Sequence, residues 1–183
     1  MLDACIIGNG ETGKAVAKTF GIKKYFDLLG ANITLEEAAH CKYIFLCIPE
    51  KEIAEIVRQL SQYGNGLIVV RRGTVPGTIK HLAEEYNVPI VANPILGDMG
   101  HPNAIVIGAD IPSWISAVWG IYEARFKGIN IYKTDSVTAE MVPFMIDKLR
   151  QYRERAEWKV ENDCKILGGN FTQVMEIIKK WKK

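Results

Sequence analysis

The segment Gly8-Asn9-Gly10-Glu11-Thr12-Gly13 spaces three glycines so that backbone, rather than side chains, can meet a ligand. Gly8 permits a sharp turn, Gly10 removes a Cβ that would hold a pyrophosphate at a distance, and Gly13 lets a helix pack closely on a strand. A helix opening at this point adds unpaired N–H groups and the positive end of its dipole, both of which favour phosphate. Ala4-Cys5-Ile6-Ile7 before the turn reads as a strand buried on both faces, and Lys14, Ala15, Val16, Ala17 and Phe20 after it read as an amphipathic helix. Asp27 closes the next apolar run, about 20 residues beyond the first glycine, where a carboxylate accepts hydrogen bonds from a ribose. Strand, glycine turn, helix and acid together point to a bound dinucleotide. The carboxylate would repel a 2′-phosphate, and Leu28-Leu29-Gly30 supplies no arginine to offset it, so NAD is expected rather than NADP. The plainer reading of Asp27 is a surface acid at a strand end.

The same residues come close to a second phosphate motif. Gly8, Gly13 and Lys14 fit the spacing of a nucleotide triphosphatase loop, but Ala15 stands where that loop has a Ser or Thr to hold magnesium. The run Tyr43-Ile44-Phe45-Leu46-Cys47-Ile48 ends in Pro49-Glu50, which suits a strand leading into a loop beside a nucleotide better than a magnesium site. The triphosphatase therefore stands as the rival reading.

Other chemistries find less support. The four cysteines, Cys5, Cys41, Cys47 and Cys164, show no Cys-x-x-Cys spacing, and the three histidines, His40, His81 and His101, are scattered, so no metal site is expected. A net charge of +2 gives no argument for nucleic acid, and Lys179, Lys180, Lys182 and Lys183 read as a solvated helix end. No apolar run is long enough to cross a bilayer and no signal peptide is evident, so a cytoplasmic location without membrane attachment is the expectation.

The elements that must position the glycine turn follow from alternating apolar and helical patterns. Strands are predicted near 3–8, 24–29, 43–48, 66–71, 88–92, 104–108 and 129–132, with helices near 11–20, 50–62, 75–86 and 111–125 and at most a short one around Glu36-Glu37-Ala38-Ala39. The expected class is α/β, a Rossmann-like, doubly wound and mostly parallel sheet, over residues 1–133. The stretch from Asn93 to Asn103, with two prolines and two glycines, is expected to hold no helix, and either borders a ligand crevice or is a surface connector. Residues 134–183 are expected to be a helical extension. An apolar stripe from Met141 through Met145, Leu149, Tyr152, Ala156, Val160, Cys164 and Leu167 predicts one long helix, with Pro143 tolerable in its first turn or at a kink. Gly168-Gly169 ends it and a short final helix follows. So much apolar surface on one helix predicts a homodimer through residues 141–167.

Several of these segments together resemble the NAD-binding half of the nucleotide-sugar dehydrogenases, the UDP-glucose and GDP-mannose dehydrogenase family. Besides Gly8, Gly10, Gly13 and Asp27, the strand ending at Pro49, the stretch Arg72-Gly73-Thr74-Val75-Pro76-Gly77-Thr78, the pair Asn93-Pro94 and the run Ile105-Val106-Ile107-Gly108 are similar to family segments. Thr138-Ala139-Glu140-Met141-Val142 is similar to the opening of the family's central helix, which forms its dimer.

The resemblance implies that Gly8, Asn9, Gly10, Glu11, Thr12 and Gly13 cradle the pyrophosphate, Asp27 holds the ribose, Pro49 lines the adenosine or ribose pocket, and Thr74 lies near the nicotinamide. It also implies that the chemistry is altered. Ile95 falls at the family's loop glutamate, Pro143 at its helix lysine and Asp147 at its helix asparagine, and the family's nucleophilic cysteine lies in a nucleotide-sugar domain beyond the span of this chain. Cys164 lies on the apolar stripe and reads as core; Asp98, His101 and Lys148 are the remaining acid–base candidates, and no residue is assigned a catalytic role. The expected function is an NAD-binding, oxidoreductase-like protein, acting on a nucleotide sugar or with a separate catalytic chain; a non-catalytic NAD-sensing dimer is the alternative.

Overall fold

A computed structural model describes residues 2–181. The sheet is built from short apolar runs, as predicted. β1 (Ala4–Ile7) pairs in parallel with β2 (Lys24–Phe26) on one side and β3 (Tyr43–Leu46) on the other, followed by β4 (Leu67–Val70) and β5 (Ile90–Ala92), all parallel. Every residue of β1, β3, β4 and β5 is buried, because helices cover both faces. Side chains alternate between the faces with the period of two that a strand imposes. Cys5, Ile7, Ile44, Leu46, Ile68 and Val70 enter one core cluster, while Ala4, Ile6, Tyr43, Phe45, Leu67 and Val69 enter the other. Against the first face pack residues of α2 (Leu35–Ala39), α3 (Glu50–Leu60) and α4 (Thr78–Tyr86); against the second pack those of α1 (Glu11–Phe20) and α5 (Pro112–Arg125). The mostly parallel, doubly wound α/β class expected from sequence is the class observed.

The far edge departs from the prediction. The chain from Asn93 to Asn103 is not wholly irregular, because β6 (Ile95–Gly97) folds back antiparallel onto β7 (Pro102–Gly108). No helix forms there, in keeping with the prolines, but a hairpin does. Gly97 at φ +95° makes the bend available to it, and Pro102 is tolerated as the first residue of its strand. β7 touches β5 antiparallel at Gly108 and pairs in parallel with β8 (Asn130–Thr134), completing eight strands. β2 is shorter than predicted, ending at Phe26, so that Leu28 and Leu29 stand fully out in solvent.

α6 (Ser136–Ile166) begins earlier than the stripe from Met141 suggested. Its start is set by Asp135, whose carboxylate accepts from both the N–H and the hydroxyl of Thr138, an N-cap arrangement. Pro143 therefore lies inside the helix and not in its first turn, leaving the Ala139 carbonyl without an i+4 donor. The chain divides into two compact units, residues 1–144 and 145–183. The second holds the remainder of α6 and α7 (Phe171–Trp181), joined by Gly168 at φ +74° and the bond from Gly169 N–H to the Cys164 carbonyl at 2.7 Å.

Candidate functional site

The glycine turn opens directly from the carboxyl end of β1, at the point where the chain order reverses between β1's two neighbours, β2 and β3. Ligands of such sheets bind at this switch point. Gly8 has φ +95°, and a Cβ there would fall 2.7 Å from the Cys47 carbonyl oxygen. At Gly13 a Cβ would overlap the Gly8 carbonyl oxygen, so this glycine is what allows α1 to press onto the turn. Gly10 differs from both: a Cβ there would meet nothing within 4 Å, and the residue is exposed. The first and third glycines thus serve the protein's own packing, and the middle one faces open space.

Asp27 is tied to the turn. Its Oδ2 accepts from the Asn9 N–H at 2.6 Å and its Oδ1 from the Leu29 N–H at 3.0 Å. These bonds, with Leu29's contribution the larger, hold its carboxyl below the usual carboxylate value. Ionised at neutral pH, each oxygen still has a lone pair for a ribose hydroxyl. Around it opens a cavity of about 610 Å³ whose walls include Gly8, Gly10, Asp27, Ile48, Pro49 and Arg72. Leu28, Leu29 and Ile56 add apolar surface suited to a flat base. Cys47 also borders the cavity, but burial pushes its thiol up to about 11, so it stays protonated at neutral pH.

On the other side of the turn lies a second hollow of about 370 Å³, bounded by Glu11 and Thr12 of α1, by Arg71, Arg72 and Gly73 after β4, and by Ile95, Gly97, Asp98 and Met99 of the hairpin. Arg72 borders both spaces. The connector that the sequence left open between crevice and plain surface thus contributes a wall.

No family model matches the chain, and no curated protein matches it. Solved structures match over nearly its whole length. A UDP-glucose dehydrogenase from Pyrobaculum islandicum superposes with a TM-score of 0.77 at 18% identity, covering 97% of this chain and 56% of that one. A 3-hydroxyisobutyrate dehydrogenase from Mycobacterium tuberculosis, solved with L-serine, gives 0.78 at 11%, covering 98% and 71%. An imine reductase variant from Myxococcus stipitatus, in complex with NAD+, gives 0.68 at 13%, covering 98% and 71%. The chain has a Rossmann-like fold. It spans little more than half of the nucleotide-sugar dehydrogenases it matches, 56% of each of two.

Within this Rossmann-like frame the expected residues separate. Gly8, Gly10, Asp27 and Pro49 meet at the larger cavity, Glu11 and Thr12 at the smaller hollow, and Asn9 and Gly13 shape the turn between them. Thr74 borders neither space. It is buried, and its hydroxyl donates to Glu140 Oε1 at 2.6 Å. Glu140, 1% exposed, also accepts from the N–H groups of Gly77 at 2.7 Å and Ile79 at 3.0 Å, so a single carboxylate from α6 fixes the Thr74 loop and caps α4. Desolvation nevertheless raises its carboxyl above the ordinary value. Sequence reasoning named Glu140 only as part of a matching segment. A glutamate followed by Met141 and Val142 at a helix start carries no sign of burial on its own.

A second buried polar group was also missed. Arg71 ends the run Leu67–Val70, is 7% exposed, and donates through Nη1 to the Asn93 carbonyl at 2.7 Å and to Asn93 Oδ1 at 2.8 Å. Tyr122, whose hydroxyl donates to the same Oδ1, is pushed up to about 12 by burial. An arginine directly after a fully apolar strand was the available signal. Of the acid–base candidates, Asp98 borders the smaller hollow, His101 is exposed, and Lys148 lies in the second unit. Among the described residues no group of three or more His, Cys, Asp or Glu could hold a metal ion. No described helix is long and apolar enough to cross a membrane.

Proposed function

We propose that the protein binds NAD across the glycine turn and is an oxidoreductase-like relative of the nucleotide-sugar dehydrogenases. The observation that carries this is Asp27, whose ionised carboxylate is bonded to the Asn9 N–H of the turn and shares one cavity with Gly8, Gly10 and Pro49. The residues fit the cofactor. The adenine would lie against Leu28, Leu29, Pro49 and Ile56, the ribose hydroxyls would donate to Asp27, and the pyrophosphate would take N–H groups at Gly10 and the start of α1 beside Arg72. NAD then supplies the hydride-accepting ring. The chain's own contribution is to hold the ribose by a fixed carboxylate, to bring backbone close at Gly10, and to border the adjoining hollow with Arg71, Arg72 and Asp98.

Calorimetric titration with NAD, NADP and magnesium–ATP tests the reading. Binding of NAD in preference to NADP, lost in Asp27→Ala, is expected. Magnesium-dependent ATP binding without NAD binding would instead select the triphosphatase. The replacement of the family's chemical residues by Ile95, Pro143 and Asp147 favours a second reading, a non-catalytic NAD-sensing dimer. Nicotinamide absorbance on mixing with NAD and UDP-sugars, alone and with any partner chain, separates the two readings.

A further inference from the structure

Arg71 is a cation with an unfinished set of partners. Its Nη1 is committed to Asn93, and its Nη2 rests 3.1 Å from the Met99 sulfur, a weak acceptor. Its Nε has no partner, and among the described residues it is the one buried side-chain nitrogen or oxygen atom in that condition. No described Asp or Glu lies within ion-pair distance of the guanidinium, and beyond the neutral Asn93 oxygens its carbon has the Tyr122 ring centroid 6.0 Å away. Burying a guanidinium against neutral partners is costly unless an anion completes it.

The geometry of what is left open is specific. Nε and Nη2 form one edge of the guanidinium, the fork that takes the two oxygens of a carboxylate in parallel. Arg71 and Met99 are both walls of the hollow beside the glycine turn. Met99 follows the β6 strand and its side chain is buried in the second core cluster, so an anion at the fork must outcompete both the weak sulfur contact and that packing. Exposed Glu11 and Asp98 border the same space and oppose a doubly charged group more than a singly charged one.

We propose that this hollow binds the carboxylate of a small organic acid, which displaces the Met99 sulfur and takes the Nε–Nη2 edge of Arg71. Resting on the NAD reading for its role, this would make the second ligand a small carboxylic acid held next to the cofactor. The fork itself requires no cofactor, so the two claims can fail separately.

The test follows the arginine Nε–H signals of the 15N-labelled protein by NMR during titration with sodium 3-hydroxypropionate, with 1,3-propanediol as the neutral control and inorganic phosphate as the dianionic one, each with and without NADH. A saturable shift of the Arg71 signal with 3-hydroxypropionate alone among the three is expected. Affinity measured by calorimetry should fall roughly tenfold or more in Arg71→Lys, which keeps the charge and loses the fork. Met99→Ala should bind the acid a few-fold more tightly, because the competing sulfur is gone. No Arg71 response to the carboxylate, a response to phosphate instead, or unchanged affinity in both variants would overturn the proposal. An Arg71 response without NADH binding would leave the carboxylate site standing and remove the cofactor reading.

Discussion

At Asp27, one carboxylate ties down the glycine turn through Asn9 and borders the cavity in which the proposed cofactor's ribose would lie. Because its bonds to Leu29 and Asn9 lower the folded-state value beneath the ordinary 3.8, the contribution is complete above that value and is lost as pH falls through the depressed one. NAD affinity measured by calorimetry should thus hold from neutrality down past the ordinary carboxylate value and decline only as pH falls through the depressed one. Asp27→Asn should bind more weakly throughout and show a flatter acid limb; an equally steep decline in the variant would assign the effect to another group. Gly13 carries a different expectation. Since its added Cβ would overlap the Gly8 carbonyl oxygen, Gly13→Ala should cost about 1–3 kcal/mol in urea unfolding, as overpacking does, whereas Gly10→Ala, with open space around it, should leave stability nearly unchanged and weaken NAD. The packing roles of Gly8 and Gly13, and the placement of Gly10 and Asp27 around one cavity, could be read from spacing because each depends on local backbone. Glu140 could not, and Arg71 only by its place directly after an apolar strand, because their burial is decided by Thr74 and Asn93, distant in the chain.

Among the elements, the strands were legible wherever both faces are covered, as in β1, β3, β4 and β5, since a short run of apolar residues has few other stable fates. The β6–β7 hairpin was not, because Ile95–Gly97 is only three residues long, half exposed, follows a proline and ends on a glycine. α6 was foreseen in extent but not in origin, which a polar cap at Asp135 decides. That start matters, because it places Glu140 over the Thr74 loop and the first turn of α4. Glu140→Ala strands the Thr74 hydroxyl and two N–H groups, and should destabilise the protein by at least about 2 kcal/mol in urea titration. Glu140→Gln, which retains one carboxamide oxygen for Thr74 and Ile79, should lose less. The pH sign is opposite to that of Asp27. Desolvation raises the Glu140 carboxyl in the folded state, so its favourable contribution is full below the ordinary 4.5 and falls as pH rises through the raised value. Stability curves of wild type and Glu140→Gln should diverge across that interval, and parallel curves would show that the carboxyl titrates no differently in the unfolded chain.

For the whole molecule, the outstanding feature is the apolar surface of the second unit. Leu149, Tyr152, Trp158, Ile166, Leu167 and Ile177 are each 60% or more exposed, a concentration of large apolar side chains that marks an interaction surface. Within residues 145–183 the ion pairs Arg150–Asp147 and Lys165–Glu161 sit at helical spacings and stabilise the helix itself, not a fold around it. Isolated helices held only by such pairs are marginal in water, and their stability ordinarily comes from packing of an apolar face. The pairing proposed for residues 141–167 would supply that packing and would belong to an assembly of two chains. Sedimentation at micromolar concentration should give twice the chain mass for the wild type. Leu149→Glu combined with Tyr152→Glu, two residues on the predicted stripe, should sediment as a monomer and lose helical circular dichroism in proportion to α6 and α7, while NAD binding by residues 1–144 persists. A wild type that is monomeric and fully helical would mean that the stripe is covered in some other way. A double variant that stays dimeric would move the interface off Leu149 and Tyr152 and onto the other apolar residues of the same helices.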